Sequence, residues 1–190
     1  MEFIHFLLEL LTHTKEVLLQ LFQAHGNYIY AILFLIIFVE TGLVIMPFLP
    51  GDSLLFTAGL LCAQPSGISV FILIPLLIVA AIIGDNVNYF VGKYFSEKVL
   101  SWKIKGKPLV NPKWIEEVHH YFEKHGTKTI IIARFMPIVR TVTPFVSGVA
   151  KMNYKVFLPY DIFGGILWVT SVTLAGYFLG NIPYVEQNLE

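Results

Sequence analysis

Apolar runs that are broken by proline and carry charge inside them constrain this chain more than any other feature. Tyr28 to Val39 is wholly apolar and closed by Glu40; Gly42, Pro47, Pro50 and Gly51 follow, and a second apolar run extends from Leu54 to Cys62. Neither leg reaches the ~20 residues that a helix needs to cross a bilayer. Lipid cannot satisfy the backbone groups freed at such prolines, so the irregular tip has to be buried in protein. The pattern predicts a re-entrant, broken-helix hairpin, with a plain transmembrane helix from Tyr28 to Pro47 as the alternative. It returns later, where Thr129–Ala133 and Val142–Ala150 flank a tip containing Arg134, Pro137, Arg140 and Pro144.

Two further stretches are long enough to span. Val70 to Phe95 crosses once, with a polar notch at Gly84, Asp85 and Asn86, and Val156 to Gly180 crosses a second time. Of the 190 residues 56% are hydrophobic and 14% are charged, against about a quarter charged in soluble domains, so much of the surface must face lipid. Lys98, Lys103, Lys105, Lys107, Lys113 and Lys124 crowd the segment between Lys93 and Lys128, which the positive-inside rule places in the cytoplasm. Within it Trp114, Val118, Tyr121, Phe122 and His125 share one helical face after Pro112. Phe3, Phe6, Leu7, Leu10, Leu11, Leu18, Leu21 and Phe22 share another in the opening segment. Both predict amphipathic helices suited to the interface plane or to packing on other helices. Met1 to Gln20 lacks a basic n-region and a small-residue cleavage site, so it is expected to be retained rather than removed as a signal peptide.

These pieces repeat. Met46-Pro47 answers Met136-Pro137, Thr57-Ala58-Gly59 resembles Val146-Ser147-Gly148, and Tyr89-Phe90-Val91-Gly92 answers Tyr177-Phe178-Leu179-Gly180, an offset of roughly 90 residues. The predicted architecture is an all-α integral membrane protein with a single membrane domain over 1–190. Repeat one covers about 1–95, a lysine-rich link 96–111, and repeat two about 112–183. Each repeat holds an amphipathic helix, a re-entrant hairpin and one span, and an odd number of crossings inverts the second repeat. Inverted repeats with broken helices at the midplane are the pattern of secondary transporters.

Several function classes fall away. Lys plus Arg and Asp plus Glu both total 13, leaving no basic bias for nucleic acid. The single Cys62 rules out an internal disulfide and a multi-cysteine metal site. His119, His120 and His125 lack the carboxylate-histidine spacing of a metal centre and read as solvated. There is no nucleophile elbow, Gly-rich phosphate loop or paired-carboxylate hydrolase pattern, so neither an enzyme nor a bound cofactor is expected. A homo-oligomer is compatible with the sequence.

The chemistry rests on charges among apolar neighbours. Glu40 and Asp52 lie in the first hairpin, Arg134 and Arg140 in the second, and each costs about 2.5–3.5 kcal/mol at the bilayer centre. If the tips meet, the set is neutral. It then serves either as an ionic clasp or as an anion site, and two arginines favour the anion site because guanidinium binds phosphate oxygens bidentately and stays charged in apolar surroundings. Asp85, Asn86 and Asn88 either line a pathway or cap a kink beside Gly84. Asp161 reads as an interfacial cap ahead of a proton relay, and Trp102, Trp114 and Trp168 as interface anchors.

The stretches Phe38-Val39-Glu40-Thr41-Gly42, Pro47-Phe48-Leu49-Pro50-Gly51-Asp52-Ser53, Gly84-Asp85-Asn86-Val87-Asn88-Tyr89 and Ala133-Arg134-Phe135-Met136-Pro137-Ile138-Val139-Arg140-Thr141 closely resemble the bacterial DedA family of inner-membrane proteins, from about Tyr28 to Gly180. The resemblance implies a multi-pass lipid flippase of the bacterial inner membrane that returns undecaprenyl phosphate across it, coupled to the proton gradient. It also implies that Glu40, Asp52, Arg134 and Arg140 are the functional residues. Family members usually carry another apolar helix and a basic tail beyond the position of Pro183, whereas this sequence ends at Glu190, as a truncated chain would. In the expected mechanism Arg134 and Arg140 hold the lipid phosphate, and Glu40 and Asp52 exchange protons to release it. An integral-membrane lipid phosphatase and a non-transporting scaffold are the competing classes.

Overall fold

The structure, a computed structural model, describes residues 28–43, 51–63, 68–101, 103–104, 107–108 and 112–182. The expected opening helix and the first proline tip, with Met46, Pro47 and Pro50, lie outside them. The described chain is helical apart from one short antiparallel pair: α1 (Ile29–Gly42), α2 (Gly51–Cys62), α3 (Val70–Ser101), β1 (Lys103–Ile104), β2 (Lys107–Pro108), α4 (Pro112–His125), a 3-10 turn at Gly126–Lys128, α5 (Thr129–Ala133), α6 (Pro137–Val149) and α7 (Tyr154–Gly180). Lys103 pairs with Pro108 and Ile104 with Lys107. Both predicted spans are present as helices long and apolar enough to cross a membrane, Val70–Phe95 within α3 and Tyr154–Gly180. α1 and α2 are apolar but too short for that.

The second proline-bearing region departs from expectation. Only Arg134, Phe135 and Met136 interrupt the helices, while Arg140 and Pro144 lie inside α6. Pro137 takes the first helical position, where a missing N–H costs nothing. Pro144 deprives one carbonyl of its usual donor, and the hydroxyls around it bond back along the helix: Thr143 Oγ1 donates to Val139 O at 2.7 Å and Ser147 Oγ to Thr143 O at 2.8 Å. α4 is amphipathic as predicted, with Val118 buried and His119 and His120 exposed.

The chain forms two compact units, each assembled from both halves of the sequence. One comprises the chain up to Ile36, Leu49–Val79 and everything from Val169 on; the other comprises Ile37–Phe48 and Ala80–Trp168. In the first, Leu33, Leu54, Leu55, Ala58, Leu73 and Leu77 are sealed from solvent. α2 lies directly on the second half of α7, because a Cβ on Gly59 would strike the Thr173 carbonyl and one on Gly176 the Phe56 carbonyl. In the second, Val118, Val139, Val142, Phe145 and Val146 form one core cluster, and Tyr89 stacks on Phe157 at 4.6 Å between centroids. α3 and α6 meet in the same close manner, with Gly92 against the Phe145 carbonyl and Gly148 against that of Tyr89. Small residues at such crossings let backbones approach where no hydrophobic drive separates protein from lipid.

Candidate functional site

Among the described residues of the second unit, five charged side chains are at most 5% exposed: Glu40, Asp85, Arg134, Arg140 and Asp161. Their positions follow from the backbone. The last turn of α1 rests on α3 at a glycine-to-glycine contact, Gly42 on Gly84. Thr41 Oγ1 donates to Ile37 O at 3.0 Å within its own helix and lies 3.4 Å from Ala81 O on α3. That crossing brings Glu40 to the depth of Asp85. Asn88, one turn further along α3, ties two other elements together through its amide, donating to Thr41 O at 3.2 Å and to Thr141 O at 2.7 Å.

Arg134 stands at the interruption after α5, and its Nη2 pairs with both Asp85 Oδ2 and Asp161 Oδ1. Gly164 and Gly165 on α7 make room for it: a Cβ at Gly164 would lie 3.1 Å from the Arg134 Cγ. Arg140, one turn into α6, donates from Nη2 to Glu40 Oε1 at 2.6 Å, across 100 residues of sequence. Its guanidinium also sits 4.5 Å from the centre of the Trp168 ring, a cation–π contact of the kind that strengthens when desolvated. Asn86, on the outer side, donates to Ile82 O and accepts from the Tyr154 hydroxyl, both at 2.7 Å.

Glu40, Arg134, Arg140 and Asp85 are therefore brought together as a buried set, and Asn88 braces it. Asp52 belongs to the other unit, half-buried in the first turn of α2. Asp161 departs from its expected role as an interfacial cap. It lies seven residues after α7 begins, fully buried and bound to Arg134. Trp168 likewise packs on Arg140 instead of serving as an interface anchor. A sequence signal for Asp161 existed, since a carboxylate one turn before Gly164-Gly165 in an apolar span has to face protein. Reading the helix as opening at Val156 put that carboxylate too close to its end.

The VTT domain model matches residues 49–178. Protein DedA of Escherichia coli K12 is 47% identical over the whole chain, which covers 86% of that relative. An uncharacterized membrane protein of Mycobacterium leprae is 48% identical over 82% of the chain and 68% of its own length. Inner membrane protein YqjA of Escherichia coli K12 is 37% identical over 93% of the chain and 81% of its own length. No solved structure matches the chain. With its buried arginine and carboxylate pairs set among helices suited to lipid, the chain belongs to the DedA family of VTT-domain membrane proteins.

Proposed function

We propose that this protein is a multi-pass inner-membrane transporter, not an enzyme, that moves a polyprenyl phosphate such as undecaprenyl phosphate across the bilayer in a proton-coupled cycle. The observation that carries the reading is the pair of buried arginines, each held by carboxylate. Guanidinium gives up a carboxylate for a phosphate without losing charge or hydrogen-bond geometry. An arriving phosphate takes Arg140 from Glu40 and Arg134 from its acids, and the displaced carboxylates then take up protons, since each has lost the cation that favoured its charged form. Proton release on the other side restores the pairs and ejects the lipid.

The proposed architecture is the inverted repeat with two re-entrant hairpins. It is supported by Gly59 and Gly148, which correspond in the repeat and each face another helix's backbone. The tail specificity rests on the family resemblance alone. Reconstitution into vesicles with a labelled polyprenyl phosphate tests the reading. Translocation that rises with an imposed pH gradient is expected; release of inorganic phosphate would mean a phosphatase, and neither would mean that the ion pairs are a clasp.

A further inference from the structure

Three carboxylates and two guanidiniums share the buried set, so with every group ionised it holds one negative charge too many. Arg140 pairs with Glu40. Arg134 is shared instead, a single nitrogen facing the carboxylates of both Asp85 and Asp161. The elements packed around them bring other titratable groups near. From α3 come Tyr89, whose hydroxyl donates to Met152 O, and Lys93, whose ammonium lies over the Tyr89 and Tyr94 rings at 5.9 and 5.6 Å. From α7 come Tyr154, bonded to Asn86, and Tyr160. Arg140 on α6 and Glu40 on α1 stand beside them as a pair. Among the described residues, none of these supplies a second cation to Asp161. One oxygen of Asp161, Oδ2, is sealed from solvent and has no hydrogen-bond partner among the described residues.

The geometry points to a proton-binding site in which Asp85 and Asp161 together hold one proton, on Asp161 Oδ2, against the shared Arg134. With the proton in place the triad is neutral and one carboxylate suffices to hold the guanidinium. Without it the triad is anionic, clamps Arg134 from two sides and repels an approaching phosphate. The proton comes from and returns to water, so charge balances at each step. Its use as the coupling proton, in place of one on Asp52, rests on the transporter reading above, but its presence does not.

Infrared difference spectroscopy on the purified full chain in lipid nanodiscs, with no lipid phosphate added, reads this proton as the stretching band of a protonated carboxyl. At neutral pH the wild type should show one such band, lost on alkaline titration and displaced when aspartate carries heavy carbon. It should disappear in Asp161→Asn and persist in Glu40→Gln. Asp161→Asn removes the excess charge and is expected to fold at wild-type yield. If it does not, the heavy-carbon wild-type spectrum decides the matter without any variant. A neutral-pH spectrum with no aspartate band overturns the site, as does a band that survives in Asp161→Asn. Absent transport alongside an intact band removes the transporter reading and leaves the proton site standing.

Discussion

In one unit Gly59 and Gly176 let α2 and α7 touch backbone to backbone, and nearly everything sealed beside them is hydrocarbon. In the other, Gly92 and Gly148 let α3 and α6 touch in the same way, yet five charged side chains among the described residues are sealed alongside. Even corresponding places differ. Asp85 stands four residues before Tyr89, and Thr173 stands four before Tyr177 in the matching motif, buried and neutral. The close contact of α2 with α7 is made by glycines against facing carbonyls, so buried ion pairs are not what such a contact requires. Buried ion pairs are also weak stabilisers, since desolvation offsets much of their attraction. Their burial beside α3 and α6 is better explained by function.

Arg134 carries the largest expected effect. Arg134→Ala leaves Asp85 and Asp161 without their cation and should destabilise the protein by about 3–5 kcal/mol, read as lost yield of folded protein and lost transport. A variant of wild-type stability would show that the acids do not need it. Next, Gly59→Val and Gly148→Val push a side chain into a facing carbonyl and should each cost about 1–3 kcal/mol or more, seen as a lower thermal midpoint in detergent. Similar losses in the two units sustain the comparison, and a loss confined to one removes it.

Arg134→Lys and Arg140→Lys sharpen it. Charge stays but the parallel donors go, so the fold should hold while transport falls roughly ten- to a hundredfold, as expected from losing one charged hydrogen bond worth about 1.5–3 kcal/mol. Wild-type rates in both would argue against bidentate binding. The smallest effects belong to Cys62→Ala and His119→Ala, which remove a half-buried thiol in the apolar unit and an exposed imidazole. Transport should stay within about twofold, because substitutions away from packed or paired groups shift stability by no more than about 0.5 kcal/mol.

Local composition and periodicity carry the membrane class, the existence of both spanning helices, the amphipathic α4 and three members of the buried charge set, Glu40, Arg134 and Arg140, through apolar length, helical spacing, or a charge stranded among apolar neighbours. Which charge partners which depends on tertiary contacts. Glu40 reaches Arg140 over 100 residues, and that choice depends on two glycines allowing α1 onto α3. Asp161 joins Arg134 because Gly164 and Gly165 clear the space beside it. Arg140 entered a helix instead of a loop because Pro137 starts α6 and Pro144 is tolerated within it. Pairings of this kind depend on backbone approach between distant segments, a quantity that no local pattern of residues encodes.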